Sequence, residues 1–123
     1  MTEKQTADMV DRHSLLFLQN ERMIFMAKRE NEYQAGLIKR IKKRWPNAFV
    51  MKNDPNYIQG VPDLCVLNGG HWAMLETKRD EHEHHQPNQD HYVEKLNEMS
   101  YSSFIFPQNE EEVLDAMERV FKA

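Results

Sequence analysis

Cysteine is almost missing from this chain. The single Cys65 among 123 residues excludes a disulfide framework and a zinc site built on thiolates. With no disulfides to maintain, the expected setting is intracellular, and the opening T-E-K-Q-T lacks a signal-peptide layout. Long apolar stretches are missing too: the longest runs of large apolar side chains, Leu15 to Leu18 and Met23 to Met26, are far too short for a membrane span. Only four glycines occur, and neither a P-loop nor a dinucleotide-binding fingerprint is present; nor is there a Ser-His-Asp order. Positive charge is not in excess. Sixteen Lys and Arg stand against 20 Asp and Glu, a net charge of −4, so any nucleic-acid binding must use a local patch.

A patch of that kind exists. Between Gly36 and Asn53 lie Lys39, Arg40, Lys42, Lys43, Arg44 and Lys52 with no acid among them, whereas Asp80 to Glu118 holds eleven acids and one base, Lys95. Such segregation predicts one positive face that tracks phosphates through Lys39, Lys42, Lys43, Arg44 and Lys52; the plainer alternative is the wet side of a helix.

The spacing of apolar residues divides the chain. Tyr33, Leu37, Ile38, Ile41 and Trp45 recur at helical spacing from Glu30 until Pro46 stops the run. Phe49 to Met51 reads as a strand and Asn53 to Gly60 as a loop. Leu64 to Leu67 and His71 to Thr77 flank Asn68-Gly69-Gly70, a hairpin signal because a tight turn needs positive φ. Asp80 to Asn88 reads as a polar loop, Gln89 to Met99 as a helix and Ser103 to Phe106 as a last strand. Asn109 is expected to cap a final helix, with Glu112 at the capping-box position. The order is α-β-β-β-α-β-α, an α/β fold with a central mixed sheet flanked by helices. Residues 1–29 form an N-terminal arm whose pattern suits one helix or a short hairpin, with the helix expected from its Met, Leu, Lys, Glu and Arg content, and 30–123 form the domain proper.

Chemistry concentrates around the hairpin. Asp63 begins one strand, while Glu76 and Lys78 share a face near the end of its partner, since strand side chains alternate. A Gly69-Gly70 turn puts Asp63 directly opposite Glu76, and an Asn68-Gly69 turn puts it opposite Met74 with Glu76 on the diagonal. Either two-residue turn brings two carboxylates together beside one ammonium, whereas a three-residue loop would put Glu76 on the other face unless a bulge intervened. Apposed carboxylates repel unless a cation separates them, and oxygen ligands suit Mg²⁺ or Mn²⁺. Asp63, Glu76 and the backbone carbonyl of Thr77 are the expected ligands. A cation there would polarise a phosphoryl oxygen and activate water, with Lys78 offsetting charge that develops at phosphorus.

The ordered run E-N-E-Y-Q, N-D-P-N-Y-I-Q-G-V-P-D, L-E-T-K, Q-P-N-Q and N-E-E-E-V-L resembles the VRR-NUC family, the virus-type replication-repair nucleases of the PD-(D/E)XK superfamily. It is most similar to the small stand-alone bacteriophage members, over residues 30–123. The resemblance implies a restriction-endonuclease-like core and metal-dependent DNA cleavage, with branched DNA such as a four-way junction favoured and a bacterial cytoplasm as the setting. By the same resemblance Asp63 and Glu76 match the metal-binding acids, Lys78 the catalytic lysine, Glu30 the helix-borne acid and Gln89 the glutamine of the following helix. Glu32 is the alternative to Glu30. Gln34, one turn after Glu30, shares its face and is placed in contact with DNA.

Two other functional readings remain open: a DNA-binding or assembly protein that keeps the fold without catalysis, and a sequence-specific restriction-type enzyme. His82, His84, His85 and His91 do not have zinc-helix spacing and read as a polar loop. Gly60 is expected to allow close backbone approach beside Asp63. The arm's Met9, Val10, Leu15 to Leu18 and Met23 to Met26 exceed what a small domain can cover, and two cuts in a four-way junction call for two sites. Both point to a homodimer; the plainer alternative is an arm that packs on its own sheet.

Overall fold

The computed structural model describes residues 2–123, without the side chains of residue 4 and residues 6–10. It opens with a single long helix, α1 (Glu3–Arg44). Thr2 caps it, accepting from the Gln5 N–H while the Gln5 side chain returns to the Thr2 N–H. α1 passes straight through the division expected between residues 29 and 30, because neither proline nor glycine interrupts the sequence before Gly36. Met9 and Val10, counted above among the arm's apolar residues, lie outside the described side chains. Pro46 ends α1 by excluding the helical conformation at Trp45, which adopts φ −127°, ψ 83°.

Four strands follow as one mixed sheet in the order β1 (Phe49–Lys52), β2 (Leu64–Asn68), β3 (His71–Thr77) and β4 (Tyr101–Ile105). The first three are antiparallel, and β4 runs parallel to β3 after a crossover through α2 (Pro87–Met99). The hairpin turns on Gly69-Gly70, with Asn68 paired to His71 and Leu64 to Leu75. Gly69 has φ +62°, the conformation that the turn requires. The last element is α3 (Glu110–Lys122).

Several details differ from the sequence expectation, beyond β1 and β2 each ending one residue later, at Lys52 and Asn68. α2 starts at Pro87 rather than Gln89, since proline is pre-set for the first helical position. β4 spans Tyr101–Ile105 rather than Ser103 to Phe106, set by pairing to Ala73–Thr77. Asn109 does not cap α3 through its side chain: Oδ1 accepts from the Phe106 N–H and Nδ2 donates to the Phe104 carbonyl, so it closes the turn out of β4.

α1 and α3 cover one face of the sheet. Leu37, Ile41 and Trp45 from α1 meet Leu64, Val66, Ala73, Leu75 and Ile105 of the strands and Val113, Leu114 and Met117 of α3. Each of these large side chains contributes about 1.5–3 kcal/mol through burial, which fixes where α1 lies on the sheet. The opposite face, carrying Cys65, Met74, Glu76 and Ser102, lies toward α2. The basic and acidic stretches meet where α1 packs beside α3. Arg40 makes a two-pronged bond to Glu110 (2.7 and 2.8 Å), Arg44 reaches Asp115 (2.9 Å), and Trp45 Nε1 donates to Glu118 (2.6 Å). Among the described residues no helix is long and apolar enough to cross a membrane.

Candidate active site

Asp63 lies one residue before β2, so the observed register brings it level with Glu76 of β3. The loop ahead of it is held in place. The Asn53 N–H donates to the Asp63 carbonyl (2.8 Å), and Asn53 Nδ2 donates to the Pro62 carbonyl (2.8 Å). Gly60 adopts φ +91°, and a Cβ there would lie 2.7 Å from Asn88 Cγ, so only glycine permits this approach of the loop to the start of α2.

Asp63 Oδ2 accepts from both the Thr77 N–H (3.0 Å) and the Thr77 hydroxyl (2.7 Å), and that hydroxyl also accepts from Gln34 Nε2 (3.0 Å). Gln34 thus links α1 to the carboxylate through Thr77. In an extended strand the N–H and C=O of one residue point to the same edge, so the Thr77 carbonyl faces the Asp63 side as well.

Glu76 is the most constrained group. It is 3% exposed; Oε1 accepts from Gln89 Nε2 (2.9 Å), while the buried Oε2 has no hydrogen-bond partner among the described residues. Burial, and then the Asp63 charge, push its carboxyl up to about 8, against the opposing pull of Lys78. Glu30 of α1 is raised to about 7, first by burial and then by the charge of Glu83, to which it also hydrogen-bonds, with Asp63 adding to the effect.

Lys78 is also 3% exposed. Its ammonium donates to Gln89 Oε1 (2.9 Å) and the His84 carbonyl (3.2 Å), and pairs with Glu83 (3.3 Å). Gln89 therefore sits between Glu76 and Lys78, with its amide oriented by both. Its Oε1 additionally accepts from the Gln86 N–H (3.0 Å), which ties the arrangement to the first turn of α2.

Of the expected site residues, Glu30, Gln34, Asp63, Glu76, Thr77, Lys78 and Gln89 form one connected cluster. Lys39, Lys42 and Lys43 are exposed on the side of α1 turned from the sheet, away from that cluster. Lys52 ends β1 next to Asn53, at the same end of the sheet as Asp63. Arg44 is bound to Asp115 and Glu118 of α3. Sequence reasoning missed Glu83, which joins Glu30 to Lys78 and also binds Arg79 (3.0 Å); the only signal was its spacing of four from Arg79. The histidines form no cluster: His85 stacks on Phe104 (3.8 Å between ring centres) and pairs with Asp90, while His84 contributes its carbonyl.

The donor set fits a hard divalent cation. Two apposed carboxylates, an unpartnered carboxylate oxygen and an adjacent backbone carbonyl leave excess negative charge that protonation relieves in the bare protein. Among the described residues no group of three Asp, Glu, His or Cys side chains is arranged to hold a metal. A cation would thus rest on Asp63, Glu76 and the Thr77 carbonyl with water completing its shell, as magnesium favours. No family model, curated protein or solved structure matches the chain.

Proposed function

We propose that this protein is a metal-dependent endonuclease that hydrolyses DNA phosphodiesters, a small VRR-NUC-like enzyme with a restriction-endonuclease-like core. The observation that carries the reading is the cluster at the open end of the hairpin: Asp63 level with Glu76, and Glu76 and Lys78 joined through Gln89. The resemblance of residues 30–123 to that family supports it from the sequence side and favours branched DNA as substrate.

Mg²⁺ or Mn²⁺, when bound, supplies Lewis-acid polarisation of the phosphoryl oxygen and a water of lowered pKa. The chain's own groups do the rest. Asp63 and Glu76 present their oxygens from adjoining strands, and the two Thr77 bonds keep Asp63 from rotating away. Lys78, its direction set by Gln89 and Glu83, holds positive charge where negative charge develops. Glu30, with its raised pKa, can take or return a proton near neutral pH.

The deciding experiment incubates the full chain with labelled duplex, flap, single-stranded and four-way-junction DNA in magnesium, manganese or chelator. Metal-dependent cleavage that is strongest on branched DNA is expected, with Asp63→Asn and Glu76→Gln inactive. Full metal-dependent cleavage by Glu76→Gln overturns the assignment.

A further inference from the structure

The part of α1 that precedes Glu30 leaves the domain with its apolar side chains uncovered. Leu15, Leu16, Phe17, Leu18, Met23, Ile24 and Phe25 are each 56–69% exposed. Each four-residue block, Leu15–Leu18 and Met23–Met26, completes a full helical turn, so apolar surface rings the helix. A helix apolar all round its circumference is one that is covered from more than one side. With about 150–200 Å² for each large side chain, these seven expose roughly 700–900 Å², about the share one partner contributes to a stable interface.

The placement of the two rings identifies what covers them. They lie symmetrically about the point between Asn20 and Glu21, separated by Gln19, Asn20, Glu21 and Arg22. We infer that two copies of this chain pair their arms antiparallel about a two-fold axis at that point, so that Leu15–Leu18 of each covers Met23–Met26 of the partner subunit. Residue and partner then exchange roles, as a closed two-fold interface requires. A parallel pair would also stack ring on ring, but it would set Glu21 against Glu21 and Arg22 against Arg22. The antiparallel pair brings Glu21 level with Asn20 and Arg22 level with Gln19, and opposes the two helix dipoles. Two such pairs laid face to face would cover the whole of each ring.

The pairing has a consequence that rests on the nuclease reading. Antiparallel arms carry the two Glu30 residues to opposite ends of the overlap, about 28 Å apart along the helix axis at 1.5 Å per residue. The arm would then set the spacing of the two candidate sites.

Light scattering of the full chain at micromolar concentration, with pulsed electron-spin distance measurements, tests the pairing. Nitroxides are attached at Arg12→Cys or Asn20→Cys, one position per sample, with the buried Cys65 left in place. The expected result is a mass of two or four times 14.7 kDa, with Asn20 labels nearly level and Arg12 labels about 26 Å apart along the axis. Leu16→Glu with Phe25→Glu is expected to give a monomer whose domain melts as before. A monomeric parent chain overturns the proposal, including one that binds lipid vesicles; so do Arg12 labels as close together as Asn20 labels. The two readings fail separately. Paired arms on a protein that cuts no DNA sink the nuclease assignment alone, and a monomer that cuts DNA sinks the pairing alone.

Discussion

At the scale of single residues, Glu76 and Lys78 are under opposite constraints. Glu76 is buried with one unpartnered oxygen, so the metal-free protein holds a carboxyl it would rather keep neutral. Glu76→Gln is therefore expected to raise the melting temperature of the metal-free protein at pH 8 by several degrees, at about 4–8 °C per kcal/mol for a domain of this size. It should also abolish cleavage and any stabilisation by added metal, both readable by thermal denaturation and gel assay. Lys78 is fully bonded, and its removal takes the buried ammonium from Glu83 and Gln89, which keep their bonds to Arg79, Glu76 and Gln86. Lys78→Ala is expected to cost about 3 kcal/mol, so Lys78→Met, which keeps the stem, is the cleaner probe of rate. Cleavage by Lys78→Met should fall on the order of 100-fold or more, with metal affinity retained. Gly60→Ala combines a strained φ with a clash at Asn88. A loss of about 1–3 kcal/mol is expected in chemical denaturation, and reduced cleavage should accompany it because the same loop delivers Asp63.

At the scale of elements, α1 does several jobs along its length. Its middle, from Glu30 to Gln34, reaches the site, and Leu37 and Ile41 anchor it to the sheet. Arg40 and Arg44 bind α3, whereas Lys39, Lys42 and Lys43 of the same basic stretch face solvent. If the three lysines track phosphate, Lys39→Glu with Lys42→Glu should weaken binding to every DNA alike. The same change should flatten the slope of log affinity against log salt by about 1.8. Arg44→Ala should instead lower stability and leave that slope unchanged, because its charge already goes to Asp115 and Glu118. Fluorescence anisotropy across a salt series separates the two. An unchanged slope in the double lysine variant would mean that this face of α1 is only solvated.

For the whole molecule, stability and charge are linked through the carboxyl cluster. Glu76 and Glu30 both titrate well above the 4.5 of a free glutamate, so the folded chain binds more protons than the unfolded one between about pH 4.5 and 8. Stability from these groups is present below pH 4.5 and is lost as pH rises through 7 and 8. Burial works to raise Glu110, but its bonds to Arg40 and Tyr33 outweigh that and hold it below the usual range. Its contribution is present above pH 4.5 and is lost on further acidification. The metal-free protein is therefore expected to melt highest near pH 5 and to lose several degrees by pH 8. Magnesium or manganese should restore the loss at pH 8 and do little at pH 5, where protons compete for the same oxygens. A melting temperature that is flat with pH and indifferent to metal would remove the carboxylate cluster as a cation site.

What the sequence determined by itself was local. Glu76 and Lys78 share a face because strand side chains alternate, and either two-residue turn in Asn68-Gly69-Gly70 adds Asp63 to that face; the observed register is that of Gly69-Gly70. Helical spacing likewise marked Leu37 and Ile41 as core, and the absence of proline and glycine before Gly36 let α1 run on past the domain it serves. Tertiary structure decided everything that joins distant segments. Glu83 reaches Glu30 and Lys78 only because the loop after β3 folds back under α1. Arg44 is taken from the basic face only because α3 packs beside it, and Asn109 serves the end of β4 instead of its own helix. The physical reason is the same in each case. Backbone dihedrals and side-chain periodicity are properties of neighbouring residues, whereas the partner of a charge or an amide is whichever group burial brings within 3 Å, and burial is settled by the whole core at once.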